Sequence, residues 1–229
     1  MFFRWCKRLL LAPFVLLLLY QLWLFAWIGW WRWNNPELTR FMEIRLHELQ
    51  QKDPAARLKK QWLTYPAISN HLKRAIVVSE DDLFVAHDGF DWNGIQKAME
   101  RNRQRGKIVA GGSTITQQLA KNLLLSPDKT PWRKAQEAVI TVMIEATWSK
   151  QRILEVYLNV IEWGNGVFGA EAAAQHHFGI SAARLSPEQA ARLAVMVPSP
   201  RFYDRNRNAP SLTVRSEIIL GRMPAARIP

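Results

Sequence analysis

A mostly α-helical domain preceded by one N-terminal transmembrane helix is the fold class the sequence predicts, and three observations predict it. Residues 9–31 carry no charge, and apolar residues beyond Pro66 recur at helical spacing between legible helix starts. No run of similar length alternates as a strand does. The 229 residues suffice for one well-buried domain plus an appendage, and 48% hydrophobic with 22% charged residues is a folded composition. A single cysteine, Cys6, excludes an intramolecular disulfide and a cysteine-based metal cluster.

Leu9 to Trp31 is long enough, at ~1.5 Å per helical residue, to cross a ~30 Å hydrocarbon core. It is too long for a cleaved signal peptide, and no small-x-small cleavage site follows it. Arg4, Lys7 and Arg8 precede the span, so residues 1–8 are expected in the cytoplasm and the remainder outside it. Trp23, Trp27, Trp30, Trp31 and Trp33 gather at the far end, where indoles favour the headgroup layer.

Residues 32–65 read as a connecting helical segment, with Arg40, Glu43, Arg45 and Glu48 among Phe41, Ile44, Leu46 and Leu49, and with Pro54 and Pro66 as punctuation. The main domain is expected over residues 66–210. Within it, Thr130-Pro131 and Ser186-Pro187-x-Gln189 are helix starts, and Ile153, Leu154, Tyr157 and Leu158 share one face. The helix before Pro198 is expected to be largely buried. Residues 211–229, rich in arginine and ending in Pro224 and Pro229, read as an irregular tail.

A formal charge of +12 predicts an anionic partner: nucleic acid, acidic lipid or a phosphorylated substrate. A domain outside the cytoplasm does not meet nucleic acid, which leaves lipid and lipid phosphate.

Three segments carry candidate chemistry. Ser79 to Gly89 crowds Glu80, Asp81, Asp82 and Asp88 with His87 around Leu83-Phe84. Mutual repulsion raises a carboxylate's pKa, which suits a general base, although composition alone favours a solvated acidic turn. Gly111 to Asn122 is a glycine pair leading into a helix with Ser113 as the expected N-cap; Gln117 and Lys121, like Gln118 and Asn122, stand four apart. Such a stripe suits a phosphate or sugar ligand, and equally an amphipathic surface helix. In the third, Arg133 and Lys134 both reach Glu137 by helical spacing, which taken alone is an ordinary surface ion-pair cluster.

Together these segments resemble the successive motifs of the peptidoglycan glycosyltransferases, glycosyltransferase family 51. Glu80-Asp81 through Phe84, His87 and Gly89 matches the first motif. Gly112 to Asn122, with its Ser-Thr-Ile-Thr-Gln-Gln run, matches the second, and Arg133-Lys134 with Glu137 the third. Lys150, Ile153-Leu154-Glu155, Tyr157-Leu158-Asn159, Gly164, Gly169 and Ala172-Ala173 match the fourth, and Leu185 to Pro198 is a weaker fifth. The likeness covers roughly residues 66–203. His177 departs from a frequent tyrosine, which is expected to alter packing. Ser126-x-x-Lys129 fits a penicillin-binding pattern, but no Lys-Thr-Gly follows, so a monofunctional enzyme is expected.

The resemblance implies a lysozyme-like helical lobe with a smaller membrane-proximal lobe. It also implies transfer of a growing glycan from undecaprenyl pyrophosphate to the 4-hydroxyl of lipid II, with inversion. Glu80 would be the general base. Glu137 would orient cations, help hold a divalent ion or assist departure, and the resemblance does not choose. Ser113, Thr114, Gln117, Gln118, Lys121, Asn122, Arg133 and Lys134 would bind substrate. Mg²⁺ or Mn²⁺ on the pyrophosphate is compatible with the family, though no ligand spacing requires a metal. Cell-wall synthesis or division proteins are the protein partners it allows. The segment from about Phe90 to Ala110, with Lys97, Arg101, Arg103, Arg105 and Lys107, is expected to be mobile and near the membrane. A lysozyme-type peptidoglycan-cleaving enzyme is one alternative, with no evident need for Lys121, Arg133 and Lys134. A non-catalytic scaffold of a division complex is the other.

Overall fold

In a computed structural model the uncharged N-terminal run forms one helix, α1 (Phe2–Trp31), with Pro13 inside it. The structure describes residues 2–107 and 111–229, with side chains from Ala12 onward in the first range. Among the described residues α1 alone is long and apolar enough to cross a bilayer, with mean hydropathy 1.8 over Ala12–Trp31. Phe14, Leu16, Leu19 and Leu22 are more than half exposed, a surface that suits lipid rather than water. This helix lies in a unit spanning Met1–Pro36; Glu37–Pro229 form a second, self-contained unit.

The second unit begins with α2 (Arg40–Gln50), capped by the Thr39 hydroxyl, which accepts from the Met42 N–H. α2 packs on α5 (Ile115–Leu124), and Thr39 and Met42 are buried. The folded unit therefore starts at Glu37 and not at the expected residue 66. The amphipathic face of residues 41–49 belongs to this domain instead of forming a free connector.

A short strand, β1 (Lys59–Lys60), leads to α3 (Asn70–Glu80), whose Leu72, Ala75, Ile76, Val77 and Val78 are buried. After Asp91 caps α4 (Trp92–Arg105), Gly106 closes it in the left-handed conformation at φ 61°. α4 occupies most of the segment expected to be mobile; residues 108–110 of that segment lie outside the described residues.

α5 (Ile115–Leu124) packs on α6 (Pro131–Thr147) and α7 (Lys150–Val160). α6 has the expected Thr130 cap and first-turn Pro131. β2 (Glu162–Gly164) and β3 (Val167–Phe168) complete a three-stranded sheet of order β1-β3-β2, β1 parallel and β2 antiparallel to β3. These strands, two or three residues long, are too short for a period to announce them.

α8 (Ala170–Phe178) follows, then α9 (Pro187–Met196) with its capping box from Ser186 and Gln189, and the short α10 (Pro200–Arg205). Leu193, Val195 and Met196 are buried, as the run before Pro198 predicts. The expected irregular tail is mostly a helix, α11 (Pro210–Arg222), which packs on α9 and α3. Leu212, Ile219 and Met223 are buried and recur at helical spacing, a period that the surrounding arginines and prolines obscured.

Candidate active site

α3 ends at Glu80 because Asp81 leaves the helical region (φ −165°, ψ 78°). The Asp81 carboxylate then accepts the Ile115 N–H at 3.0 Å and contacts His87 Nε2 at 2.8 Å. One acidic residue thus ties the end of α3 to the start of α5, and its neighbour Glu80 is left facing the next polar side chain.

The start of α5 explains several residues that the sequence assigns to substrate. Thr114, not Ser113, is the N-cap: its hydroxyl accepts the Gln117 N–H at 3.2 Å and donates to the Gly89 carbonyl at 2.7 Å. Gln117 completes the capping box by accepting the Thr114 N–H at 3.0 Å, and both residues are buried. Gly89 has φ +87°, and a Cβ there would lie 2.7 Å from Thr141 Cγ2, so only glycine lets this loop approach α6. Lys150 donates to the His87 carbonyl at 2.6 Å and pairs with Glu145 at 2.8 Å, while Glu145 accepts from Thr116 at 2.5 Å. A buried network therefore locks the Ser79–Gly89 loop to α5, α6 and α7.

One helical turn along α5, Gln118 Nε2 donates to Glu80 Oε2 at 2.9 Å, and Ser79 Oγ donates to Glu80 Oε1 at 3.3 Å. Gln118 Oε1 accepts from the buried Tyr157 hydroxyl at 2.9 Å, which fixes the orientation of the amide. Burial pushes the Glu80 carboxyl above its usual value, with Asp81 adding to the rise; Gln118, Ser79 and Lys121 oppose it. Burial likewise lowers the Lys121 ammonium, further lowered by Arg133 and Lys134 and supported by Glu137 and Glu80. Lys121 therefore stands within electrostatic reach of both candidate carboxylates.

On α6, Arg133 Nη1 contacts Glu137 Oε2 at 2.5 Å and Lys134 Nζ contacts Oε1. Glu137 is buried, whereas the Lys134 side chain is about half exposed and also reaches Ser113 Oγ at 3.5 Å. Arg133 Nε is buried without an acceptor among the described residues, a donor suited to a ligand anion. Asn122 donates to the Gln118 carbonyl at 2.8 Å.

Gln118, Lys121 and Asn122 form one wall of a cavity of about 690 Å³. Its other walls bring Arg45 from α2, Glu162 from β2 and Arg201 from α10, none of them picked out by sequence motifs. Glu162 is buried, and burial raises its carboxyl although Arg45, 3.2 Å away, and Arg201 oppose the shift.

Both Glu137 oxygens are held by cations. Elsewhere, His176, His177 and Asp204 bring ligand atoms within 4.8 Å of one another. Asp204 already binds the Asn165 N–H at 3.0 Å and Arg207 at 3.0 Å, and Arg207 also reaches His176, so these groups read as a clasp between α8 and α10. His177 contacts the Trp163 carbonyl at 2.9 Å, the packing role expected of that departure.

The profile of the Transglycosylase family matches residues 46–224, which include Glu80, Lys121, Arg133, Lys134 and Glu137. The chain belongs to the transglycosylase family. It is 64% identical over 226 residues to the biosynthetic peptidoglycan transglycosylase of Dechloromonas aromatica, covering 99% of this chain and 98% of that one. The protein of the same description from Azoarcus sp. is 61% identical over 226 residues, covering 99% and 97%. That of Nitrosospira multiformis is 58% identical over 230 residues, covering both chains completely. The matched range holds both the Glu80 carboxylate bound by Gln118 and the Arg133-Lys134-Glu137 cluster.

Proposed function

We propose that this chain is a membrane-anchored peptidoglycan glycosyltransferase that polymerises glycan strands for the cell wall. The observation that carries the reading is that Gln118, bound to the recessed Glu80 carboxylate, and Lys121 line one cavity from the same helix. A hydrolase acting on neutral glycosidic bonds has no use for this concentration of cations, and a scaffold has no use for a recessed carboxylate held by an oriented amide.

The donor is the growing glycan on undecaprenyl pyrophosphate, and the acceptor is lipid II. Glu80 takes the proton from the acceptor's 4-hydroxyl as that oxygen bonds to the donor's anomeric carbon. The bond from that carbon to the pyrophosphate oxygen breaks with inversion, and its electron pair leaves with the pyrophosphate. Lys121, Arg133 and Lys134 stabilise the developing charge, with Arg133 Nε as a further donor. Glu137, held by Arg133 and Lys134, keeps those cations in place, so its role is orientation. Ser113, next to Lys134, and Gln118 and Asn122 on the cavity wall are the polar groups placed to meet sugar or phosphate. Thr114 and Gln117 support them through the helix cap.

Both substrates are lipid-linked, so α1 confines the enzyme to the surface where they reside and reduces the search to two dimensions. By the positive-inside rule the N-terminus is cytoplasmic and the catalytic domain lies on the periplasmic side of the inner membrane. Proteins of cell-wall synthesis or division are the partners suited to that location.

Purified full-length protein with fluorescent lipid II in detergent tests the reading. Long, muramidase-sensitive chains are expected. Soluble fragments released from purified cell wall, with no polymer, would instead establish a cleaving enzyme.

A further inference from the structure

A polymerase of lipid-linked sugars handles two anionic substrates at once, yet Arg133 and Lys134 converge on the single carboxylate of Glu137. A second set of cations stands elsewhere, around Glu80. Ser79, Glu80 and Pro198 line a small cavity of about 240 Å³ together with Arg215, Ile218 and Arg222 of α11. None of the recognised motifs includes α11. Arg222 is directed by Asp82, two residues from Glu80, through a 3.0 Å ion pair. Arg215 has no ion-pair partner among the described residues, and Arg201, Arg205 and Lys52 serve the larger cavity instead.

We infer that Arg215 and Arg222 are positioning residues for the acceptor, drawing an anionic group of the incoming lipid-linked disaccharide to the α11 side of Glu80. The geometry gives each substrate its own approach. The larger cavity is lined by Gln118, which binds Glu80, and by Lys121, one of the cations assigned to the leaving pyrophosphate. The smaller one opens on Glu80 from α3 and α11, where the attacking hydroxyl must lose its proton. The anion recognised is either the acceptor's pyrophosphate or a carboxylate of its peptide, and both suit a pair of guanidinium groups.

This inference rests on the polymerase reading, so the test separates the two substrates. Lipid II with its terminal 4-hydroxyl blocked by a galactose donates but cannot accept, and ordinary lipid II then serves as the varied acceptor. Formation of the capped tetrasaccharide is followed for the wild type, Arg215→Ala, Arg215→Ala/Arg222→Ala and Arg215→Lys/Arg222→Lys. The double alanine variant should raise the acceptor concentration for half-maximal rate about tenfold, the loss expected when a charge-assisted hydrogen bond is removed. Its dependence on blocked donor should stay unchanged, the lysine variant should recover part of the loss, and Arg215→Ala alone, which breaks no ion pair, should show a smaller shift in the same direction. An acceptor lacking the peptide identifies the anion: a persistent shift assigns it to the pyrophosphate, and an abolished one to the peptide. An unchanged acceptor dependence, or equal shifts for donor and acceptor, would overturn the inference while leaving the polymerase reading intact. No coupling by the wild type would overturn the polymerase reading itself.

Discussion

Gln118 and Glu80 are joined side chain to side chain at 2.9 Å, with the amide locked from behind by the Tyr157 hydroxyl. An amide held in this way donates to one carboxylate oxygen of Glu80 and leaves the other, which among the described residues accepts only from Ser79 at 3.3 Å, as the better proton acceptor. The same bond favours the ionised form, so Gln118 partly offsets the effect of burial on the group that must act as base.

The pH dependence follows from these shifts. Glu80 works only when ionised, and its pKa is raised above 4.5, so activity should rise with pH along an acid limb above the ordinary carboxylate range. Lys121 works only when protonated, and its pKa is lowered from 10.5, so the alkaline limb should fall below the ordinary lysine range. Gln118→Ala removes a bond that lowers the Glu80 pKa and should move the acid limb to higher pH. A kcat–pH profile of both proteins checks the direction, and a shift to lower pH would oppose the account.

Stability should carry the opposite cost. A carboxyl whose pKa is raised on folding binds its proton more tightly in the folded state, so its contribution to stability declines as pH rises through the unfolded and then the folded value. At neutral pH Glu80→Gln should therefore raise Tm. The gain should vanish near pH 4, about where the unfolded carboxyl is itself protonated. Calorimetry at both pH values decides it.

Thr114→Ala should act through the fold. It removes an N-cap and leaves the buried Gly89 carbonyl without the hydroxyl that donates to it, which should cost about 1–2 kcal/mol of stability. Folded Thr114→Ala protein should bind substrate with a KM close to that of wild type. Urea unfolding together with KM measurement distinguishes this from a direct contact, which would raise KM with stability unchanged.

Removing residues 210–229 should destabilise the catalytic unit, because it exposes apolar surface of α9 and α3 now covered by Leu212, Ile219 and Met223. A lower Tm and faster proteolysis of the truncated protein are expected. An unchanged Tm would mean that α11 adds little to the packing of α9 and α3.

Glu80, Lys121, Arg133, Lys134 and Glu137 stand out through the family motifs they resemble, and helical spacing places Arg133 and Lys134 on Glu137. Arg45 and Glu162, 117 positions apart, meet only through tertiary packing, and neither segment predicts the other. Ser113 and Thr114 are both good capping residues, so the choice between them depends on the Gly89 carbonyl, which composition cannot locate. Glu145 lies five residues before Lys150, yet nothing local shows that the pair closes over the His87 carbonyl.

Orientation as the role of Glu137 has its own signature. Glu137→Gln weakens the hold on Arg133 and Lys134 but removes no acid or base, so it should lower kcat less than Glu80→Gln does and leave the acid limb in place. Loss of the limb in Glu137→Gln would mean that this carboxyl itself transfers a proton.

The most direct test of the central claim is kcat for Glu80→Gln against wild type in lipid II polymerisation, with KM determined in parallel. Loss of a positioned base predicts a kcat lower by about 10²- to 10⁴-fold with KM little changed. Equal kcat values in the two folded proteins would contradict the assignment of Glu80 as the base.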